Sequence, residues 1–130
     1  APLMLTISTY EQSAPDLNMC ADANGVSRDE FMQRITRSEL IVDMLGFSPG
    51  FAYVSGVDFQ LKGNRLEHPR LITPAGSVGF IEGFLGLYAL EGPGGWPIIG
   101  HINMPLFDKE SNTPFLLSAG RKIKLALART

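Results

Sequence analysis

Glycine and proline interrupt this chain so often that long helices are excluded. Fourteen glycines and nine prolines occur among its 130 residues. Proline breaks a helix because it removes a backbone hydrogen-bond donor, and glycine is costly inside helices and strands. Such a chain favours many short strands joined by turns, which is typical of a β-barrel or a β-sandwich. Its length suits one domain over residues 1–130.

The spacing of apolar residues predicts where the strands lie. Apolar residues recur at every second position in segments 3–7 and 123–127, so both termini are expected to contribute strands. Further strands are predicted at 40–45 and 96–102, and a hairpin is predicted at 77–90. We therefore predict a mainly β fold that closes into a barrel.

Two short helices are predicted before residue 40. Ser13 and Pro15 are typical of a helix start, and Asn24 with Gly25 is typical of a helix end. Residues 27–30 form a capping box that begins the second helix. Ten apolar residues are predicted to form the core: Phe31, Ile35, Val42, Leu45, Val78, Leu87, Ile99, Leu106, Ile123 and Leu125.

Charge and cysteine content exclude several classes of function. Eleven Lys and Arg against 13 Asp and Glu give a formal net charge of −2, so we expect no nucleic acid partner. No apolar run approaches the ~18 residues of a membrane-spanning helix, and the N-terminus lacks a secretory signal pattern. One cysteine and two histidines do not make a usual zinc site. We predict a cytoplasmic protein without membrane contact or bound metal, in which Cys20 is a small core residue rather than a reactive thiol.

Two glycine-rich motifs lack the residues that catalysis or phosphate binding needs. Residues 46–50 match G-x-S-x-G, yet Pro49 has no N–H to complete an oxyanion hole after Ser48. Residues 92–97 lack the pattern of a nucleotide-binding loop. Both segments are predicted to be turns, and Trp96 is predicted to cover a core.

The two histidines are expected to differ. His68 lies in a polar loop and is interpreted as a surface residue. His101 lies in an otherwise apolar predicted strand, which leaves two interpretations open. It is either hydrogen-bonded beside the core, or it faces a pocket and exchanges a proton near neutral pH.

Five groups of residues that occur in order resemble one protein family. They are Pro15-Asp16-Leu17, residues 44–53, residues 74–79, residues 93–96 with 99–101, and residues 106–108. Together they resemble the 5-oxoprolinase subunit that is also called allophanate hydrolase subunit 1. Its relatives include the sporulation kinase inhibitor KipI and part of urea amidolyase. The resemblance runs from Thr9 to Leu127.

The resemblance implies a cyclophilin-like barrel, which is the C-terminal domain of that subunit. A smaller α+β domain normally precedes it, and this chain does not show one. The resemblance also implies an ATP-dependent amide hydrolase that opens 5-oxoproline to glutamate, or, in the biotin-linked branch, carboxyl transfer to urea. Such an enzyme works only with a second cyclophilin-like barrel, so no cofactor is expected on this chain alone and ATP belongs to the complete complex.

Three departures from the family pattern favour a different function. Ile35 stands where relatives usually have a histidine, and Phe84 with Leu85 replaces a glutamine–threonine pair. The arginine-containing stretch before Pro74 is also shortened. These changes remove groups that could move protons or hold a carboxylate. The alternative is a non-catalytic binding module of the same fold, for a protein partner such as a histidine kinase or for a small ligand.

The segments that match the family also predict a pocket. We expect turns 46–53 and 74–77 to meet the strand of His101 at one mouth of the barrel, where Phe51 and Tyr53 would form an apolar wall. A small carboxylate or a cyclic amide is the expected ligand. The ten predicted pocket residues are Phe47, Pro49, Gly50, Phe51, Tyr53, Gly76, Ser77, Tyr88, Trp96 and His101.

Overall fold

Seven short strands close into a barrel in the computed structural model, which describes residues 1–46 and 48–128. The order around the barrel is β1, β8, β5, β6, β3, β2, β9, and only the contact between β1 and β9 is parallel. The elements are β1 Leu3–Ser8, α1 Leu17–Ala23, α2 Arg28–Arg37, β2 Leu40–Leu45, β3 Ala52–Ser55, β4 Arg70–Thr73, β5 Ser77–Ile81, β6 Phe84–Leu87, β7 Gly92–Gly94, β8 Ile98–Ile102 and β9 Lys122–Leu127. The predicted barrel with two early helices is confirmed.

One apolar core joins the interior of the barrel to both helices. Of the ten predicted core residues, nine are buried, and they belong to the same cluster as Leu17 and Cys20 of α1. Phe31 of α2 meets Phe80 of β5 edge to face, with ring centroids 5.2 Å apart. The helices therefore contribute to the barrel core, although neither is long enough or apolar enough to cross a membrane within the described part of the chain.

Leu45 is the predicted core residue that the structure places outside. A bulge between Val42 and Met44 interrupts the pairing of β2 with β3, and the last three residues of β2 are all exposed. The side chain of Leu45 retains 39% exposure. The prediction was wrong because a bulge changes the alternation on which it depended.

The start of α2 is confirmed, whereas the start of α1 differs from the prediction. The Ser27 hydroxyl accepts the N–H of Glu30 at 3.0 Å, as expected for an N-cap. Ser13 instead lies in a turn whose N–H groups donate to the carbonyl of Tyr10, and α1 begins only at Leu17. Asp16 occupies the N-cap position, but its side chain makes no capping bond. Its carboxylate is engaged elsewhere, as described below.

A two-stranded sheet outside the barrel was not predicted. Strand β4 pairs with β7, which lies inside the glycine-rich segment 92–97 that was interpreted as a turn. The pairing is irregular, because only Arg70 with Gly94 and Thr73 with Gly92 are in register. Strands of three and four residues carry too little periodicity to be read from sequence.

Candidate functional site

His101 of β8 is hydrogen-bonded to the turn that precedes β5. Its Nε2 lies 2.7 Å from the carbonyl oxygen of Ala75. Because a carbonyl only accepts, Nε2 carries the hydrogen, and Nδ1 of the neutral ring is left as an acceptor. Among the described residues, no group is hydrogen-bonded to Nδ1. His101 is partly buried: it is bonded beside the core and also lines open space, whereas its exchange of a proton stays a prediction.

Gly76 brings the turn into close contact with the His101 ring. Its backbone has φ +90°, and a Cβ atom at this position would lie 2.6 Å from Nε2. Glycine is therefore needed both for the backbone angle and for the space. The adjacent Ser77 is buried and donates its hydroxyl hydrogen to the carbonyl of Pro74 at 2.7 Å. The predicted meeting of turn 74–77 with His101 is thus present in the structure.

Two clefts meet at His101, and the larger has a volume of about 720 Å³. Its lining is mostly apolar, and His101 is the only ionisable side chain among the described residues that line it. The lining residues are Ala75, Gly76, Ala89, Leu90, His101, Ile102, Asn103, Met104, Pro105, Leu106 and Phe107. This cleft offers an apolar surface with one histidine at its edge.

The smaller cleft has a volume of about 230 Å³ and a more polar lining. It lies between the turn that follows β1 and the start of β5. The lining residues are Gln12, Ser13, Pro15, Arg70, Pro74, Ser77, Ile98 and His101. Hydrogen-bonding side chains from four separate segments therefore converge on one small space.

An ion pair forms one side of the smaller cleft. The Arg70 guanidinium donates two bonds to the carboxylate of Asp16, at 2.6 and 3.0 Å, and the backbone N–H of Ile98 donates to the same carboxylate at 2.7 Å. The hydrogen bonds that Arg70 donates to Asp16 raise the pKa of the Arg70 guanidinium further above its ordinary value. The positive charge of Arg70 is thus balanced within the protein, and α1, β4 and β8 are tied together at the edge of the cleft.

The predicted aromatic wall forms a separate cluster that lines neither cleft. The ring of Phe51 is packed edge to face against those of Tyr53, Tyr88 and Trp96, with centroids 4.9 to 5.6 Å apart. Burial raises the pKa of the Tyr88 phenol. These four predicted pocket residues therefore do not line the clefts at His101, although the backbone of Tyr88 is hydrogen-bonded to those of Gly76 and Ser77.

Two glycines of the barrel wall make room for this aromatic cluster. Gly79 of β5 is paired with Gly86 of β6. A Cβ atom at Gly79 would lie 2.6 Å from Cβ of Trp96, and one at Gly86 would lie 2.5 Å from the ring of Phe51. The neighbouring Val78 belongs to the barrel core, so Gly79 faces the opposite side. The rings consequently cover the outside of the barrel.

The turn at residues 46–50 reaches only the border of the larger cleft. Phe47 lies outside the described residues, and Pro49 is exposed. Gly50 has φ +76°, and its Cβ position lies 2.8 Å from Cβ of Ala89, which lines the larger cleft. Strand β3 follows this turn, so Ser48 does not precede the helix that a nucleophile elbow needs.

Sequence reasoning missed several polar residues of the clefts. Gln12 and Asn103 occur in no recognised motif, Ser13 was interpreted only as a helix start, and Arg70 was noted only as part of the shortened segment before Pro74. Only tertiary contacts bring them near His101; the pairing of Ser8 with His101, for example, places the turn after β1 beside this histidine. Within residues 1–46 and 48–128, no three His, Cys, Asp or Glu side chains lie close enough to hold a metal ion.

Comparisons with known proteins agree with the fold. A 5-oxoprolinase subunit of Escherichia coli O157:H7 is 40% identical over 110 residues, which make up 85% of this chain and 50% of that protein. The crystal structure of a conserved uncharacterised protein from Pyrococcus horikoshii superposes with a TM-score of 0.92 at 36% identity, over 98% of this chain and 59% of that one. The urea amidolyase of Saccharomyces cerevisiae is 26% identical over 122 residues, 85% of this chain and 7% of that protein.

The match to a family model is broader than any single motif. This chain spans about half the length of the curated 5-oxoprolinase subunits that it matches. The model for the carboxyltransferase domain, subdomain C and D, matches residues 5–117, which include every barrel strand except β9 and the first two residues of β1, and also both clefts. This chain therefore belongs to the family of the carboxyltransferase domain, subdomain C and D.

Proposed function

We propose that this chain is part of an ATP-dependent amide hydrolase of the 5-oxoprolinase type. The observation that carries the proposal is its 40% identity to the Escherichia coli 5-oxoprolinase subunit over 85% of its length. The corresponding identity to urea amidolyase is 26%. The closer similarity favours 5-oxoproline over urea as the substrate.

The clefts support the further proposal that a partner completes the active site. Opening an amide with ATP needs groups that hold phosphates and groups that transfer protons. The larger cleft contributes only His101 as an ionisable group from the described residues, and Arg70 of the smaller cleft is already paired with Asp16. We assign the remaining groups, and the binding of ATP, to a second subunit or domain of cyclophilin-like fold.

The test is an assay of the intact protein with its candidate partner subunits, which are those encoded beside its gene. Formation of glutamate from 5-oxoproline is measured with ATP, and each protein is also assayed alone. We expect turnover only in the mixture. Turnover by this protein alone would contradict the need for a partner, and turnover of urea instead of 5-oxoproline would assign the protein to the urea branch.

The two histidines provide a matched pair of variants for the site. His101 lines both clefts, whereas His68 lines neither and its side chain is 92% exposed. We expect His101→Ala to lower kcat/KM of the mixture at least about tenfold, and His68→Ala to leave it unchanged. Equal effects of the two substitutions would show that the clefts at His101 are not the site.

A second candidate function is a non-catalytic binding module of the same fold. The apolar lining of the larger cleft favours it, because an apolar cleft suits binding better than acid–base chemistry. In this case the mixture turns over neither 5-oxoproline nor urea. Binding would then be weakened by a polar substitution in the larger cleft, such as Met104→Glu.

A further inference from the structure

We infer that the smaller cleft binds the amide group of a small cyclic amide, and that Nδ1 of His101 accepts the N–H of that amide. The inference rests on the proposed function, which supplies the substrate class, and it adds the atom that recognises the substrate. It also favours a cyclic amide over the small carboxylate that sequence reasoning left as an equal alternative.

The direction of the hydrogen bond follows from the bond that His101 already makes. Since the carbonyl of Ala75 requires a hydrogen on Nε2, Nδ1 of the neutral ring offers only a lone pair. The close approach of Gly76 to Nε2 holds the ring against this carbonyl. A ligand that meets Nδ1 must therefore donate a hydrogen, as the N–H of an amide does.

The charges around the cleft argue against an anionic group inside it. Arg70 is the cation in the lining, and both of its terminal nitrogens are bonded to the Asp16 carboxylate, whose side chain is 12% exposed. A ligand carboxylate would have to compete with Asp16 for this guanidinium. An uncharged amide does not compete with Asp16, and the free-energy cost of removing it from water is smaller than that of a carboxylate. The carboxylate of 5-oxoproline is accordingly assigned to the outside of the smaller cleft.

The remaining polar groups and the size of the cleft fit a small ring. Among the described residues, the side chains of Gln12 and Ser13 have no hydrogen-bond partner, so they are available to a ligand carbonyl. The volume of about 230 Å³ corresponds to roughly eight water molecules. This space suits a ring of five or six atoms and is smaller than the usual pocket for a drug-sized molecule.

Two probes that differ by one methyl group test the inference on the intact protein. Binding of 2-pyrrolidinone and of N-methyl-2-pyrrolidinone is measured by NMR titration. We expect the N-methyl compound to bind about tenfold more weakly, because it cannot donate to Nδ1. Equal affinities, or resonance shifts confined to Met104 and Phe107 of the larger cleft, would overturn the inference.

Variants of the histidine separate the roles of its two nitrogens. In His101→Gln, the side-chain amide nitrogen takes the place of Nε2 and keeps the bond to Ala75, but no acceptor remains at the position of Nδ1. We expect this variant to lose the preference for 2-pyrrolidinone, and His68→Gln to retain it. Nitrogen-15 labelling of histidine reports the tautomer directly, and a hydrogen on Nδ1 at neutral pH would also overturn the inference.

The outcomes distinguish this inference from the proposed function. If the protein prefers the N–H probe but the mixture of subunits does not open 5-oxoproline, the proposed function fails and the inference stands. If the mixture opens 5-oxoproline while the two probes bind equally well, the inference fails and the proposed function stands.

Discussion

Replacing Asp16 with alanine tests how α1 is attached to the barrel. The carboxylate is buried and accepts three hydrogen bonds, two from Arg70 and one from the backbone N–H of Ile98. Alanine leaves the buried N–H without its acceptor, which costs about 1.5 kcal/mol. Loss of the ion pair adds about 1.5 kcal/mol, a value discounted because the Arg70 side chain is 31% exposed. We therefore expect the free energy of unfolding to fall by about 3 kcal/mol and Tm by about 10 °C.

Urea denaturation followed by circular dichroism measures this change. Asp16→Asn keeps an oxygen that can accept from Ile98, so it should lose only about half as much stability as Asp16→Ala. Glu67→Ala is the matched control, because the Glu67 side chain is 91% exposed, and it should lie within about 0.5 kcal/mol of the unmodified chain. The reasoning is refuted if Asp16→Ala is no more destabilising than Glu67→Ala, or if the asparagine and alanine variants are equally unstable.

Two further predictions concern a turn and a thiol. Gly76 and Gly83 share a positive φ, but only a Cβ atom at Gly76 would clash with His101. Gly76→Ala should therefore lower the free energy of unfolding by about 1 kcal/mol more than Gly83→Ala, and it should also shift the His101 resonances. Equal effects of the two substitutions would contradict the contact. The pKa of the Cys20 thiol is raised to about 12, mainly by burial and to a smaller extent by the negative charge of Asp16. The folded chain should therefore resist thiol reagents at pH 8, and the unfolded chain should react with them. The thiol of the unfolded chain ionises near pH 9, whereas that of the folded chain does not. The free energy of unfolding should therefore fall by about 1 kcal/mol per pH unit above pH 9, and Cys20→Ala should reduce this slope. An unchanged slope would contradict the raised pKa.

The features that sequence reasoning predicted correctly are local. The alternation in segments 3–7 and 123–127 predicted β1 and β9, and the box at Ser27 predicted the start of α2. These signals depend on residues at most four positions apart, whose geometry is set by the element itself. Ser13 and Asp16 show the limit of such reasoning, because Ser13 lies in a turn before the helix and the carboxylate of the N-cap residue Asp16 binds Arg70 instead of capping α1.

The contacts that define the candidate site are far apart in sequence. Asp16 and Arg70 are separated by 54 positions, and His101 and Ala75 by 26. Periodicity does not specify which strands pair, and a single bulge in register changes which face a side chain occupies. The pairing of β5 with β8 shows this, because Val78 pairs with Gly100 and Gly79 with Ile98. Ile99 of β8 is therefore an extra residue near the pairing of Ser77 with His101.

The sequence by itself determined the class of fold, the positions of most strands and helices, and the resemblance to a family. Alternation, caps and ordered motifs are properties of the chain, and they persist whatever lies opposite each strand. Only the tertiary structure decided that the predicted pocket divides into two parts. Closure of the barrel placed Trp96 over Gly79 and Phe51 over Gly86 on its outer wall, and it placed Gly76 against His101 between two clefts. The physical reason is that in a closed sheet each side chain faces either the inside or the outside of the barrel. The pairing register of the neighbouring strands decides which, and no single segment of the sequence encodes that register.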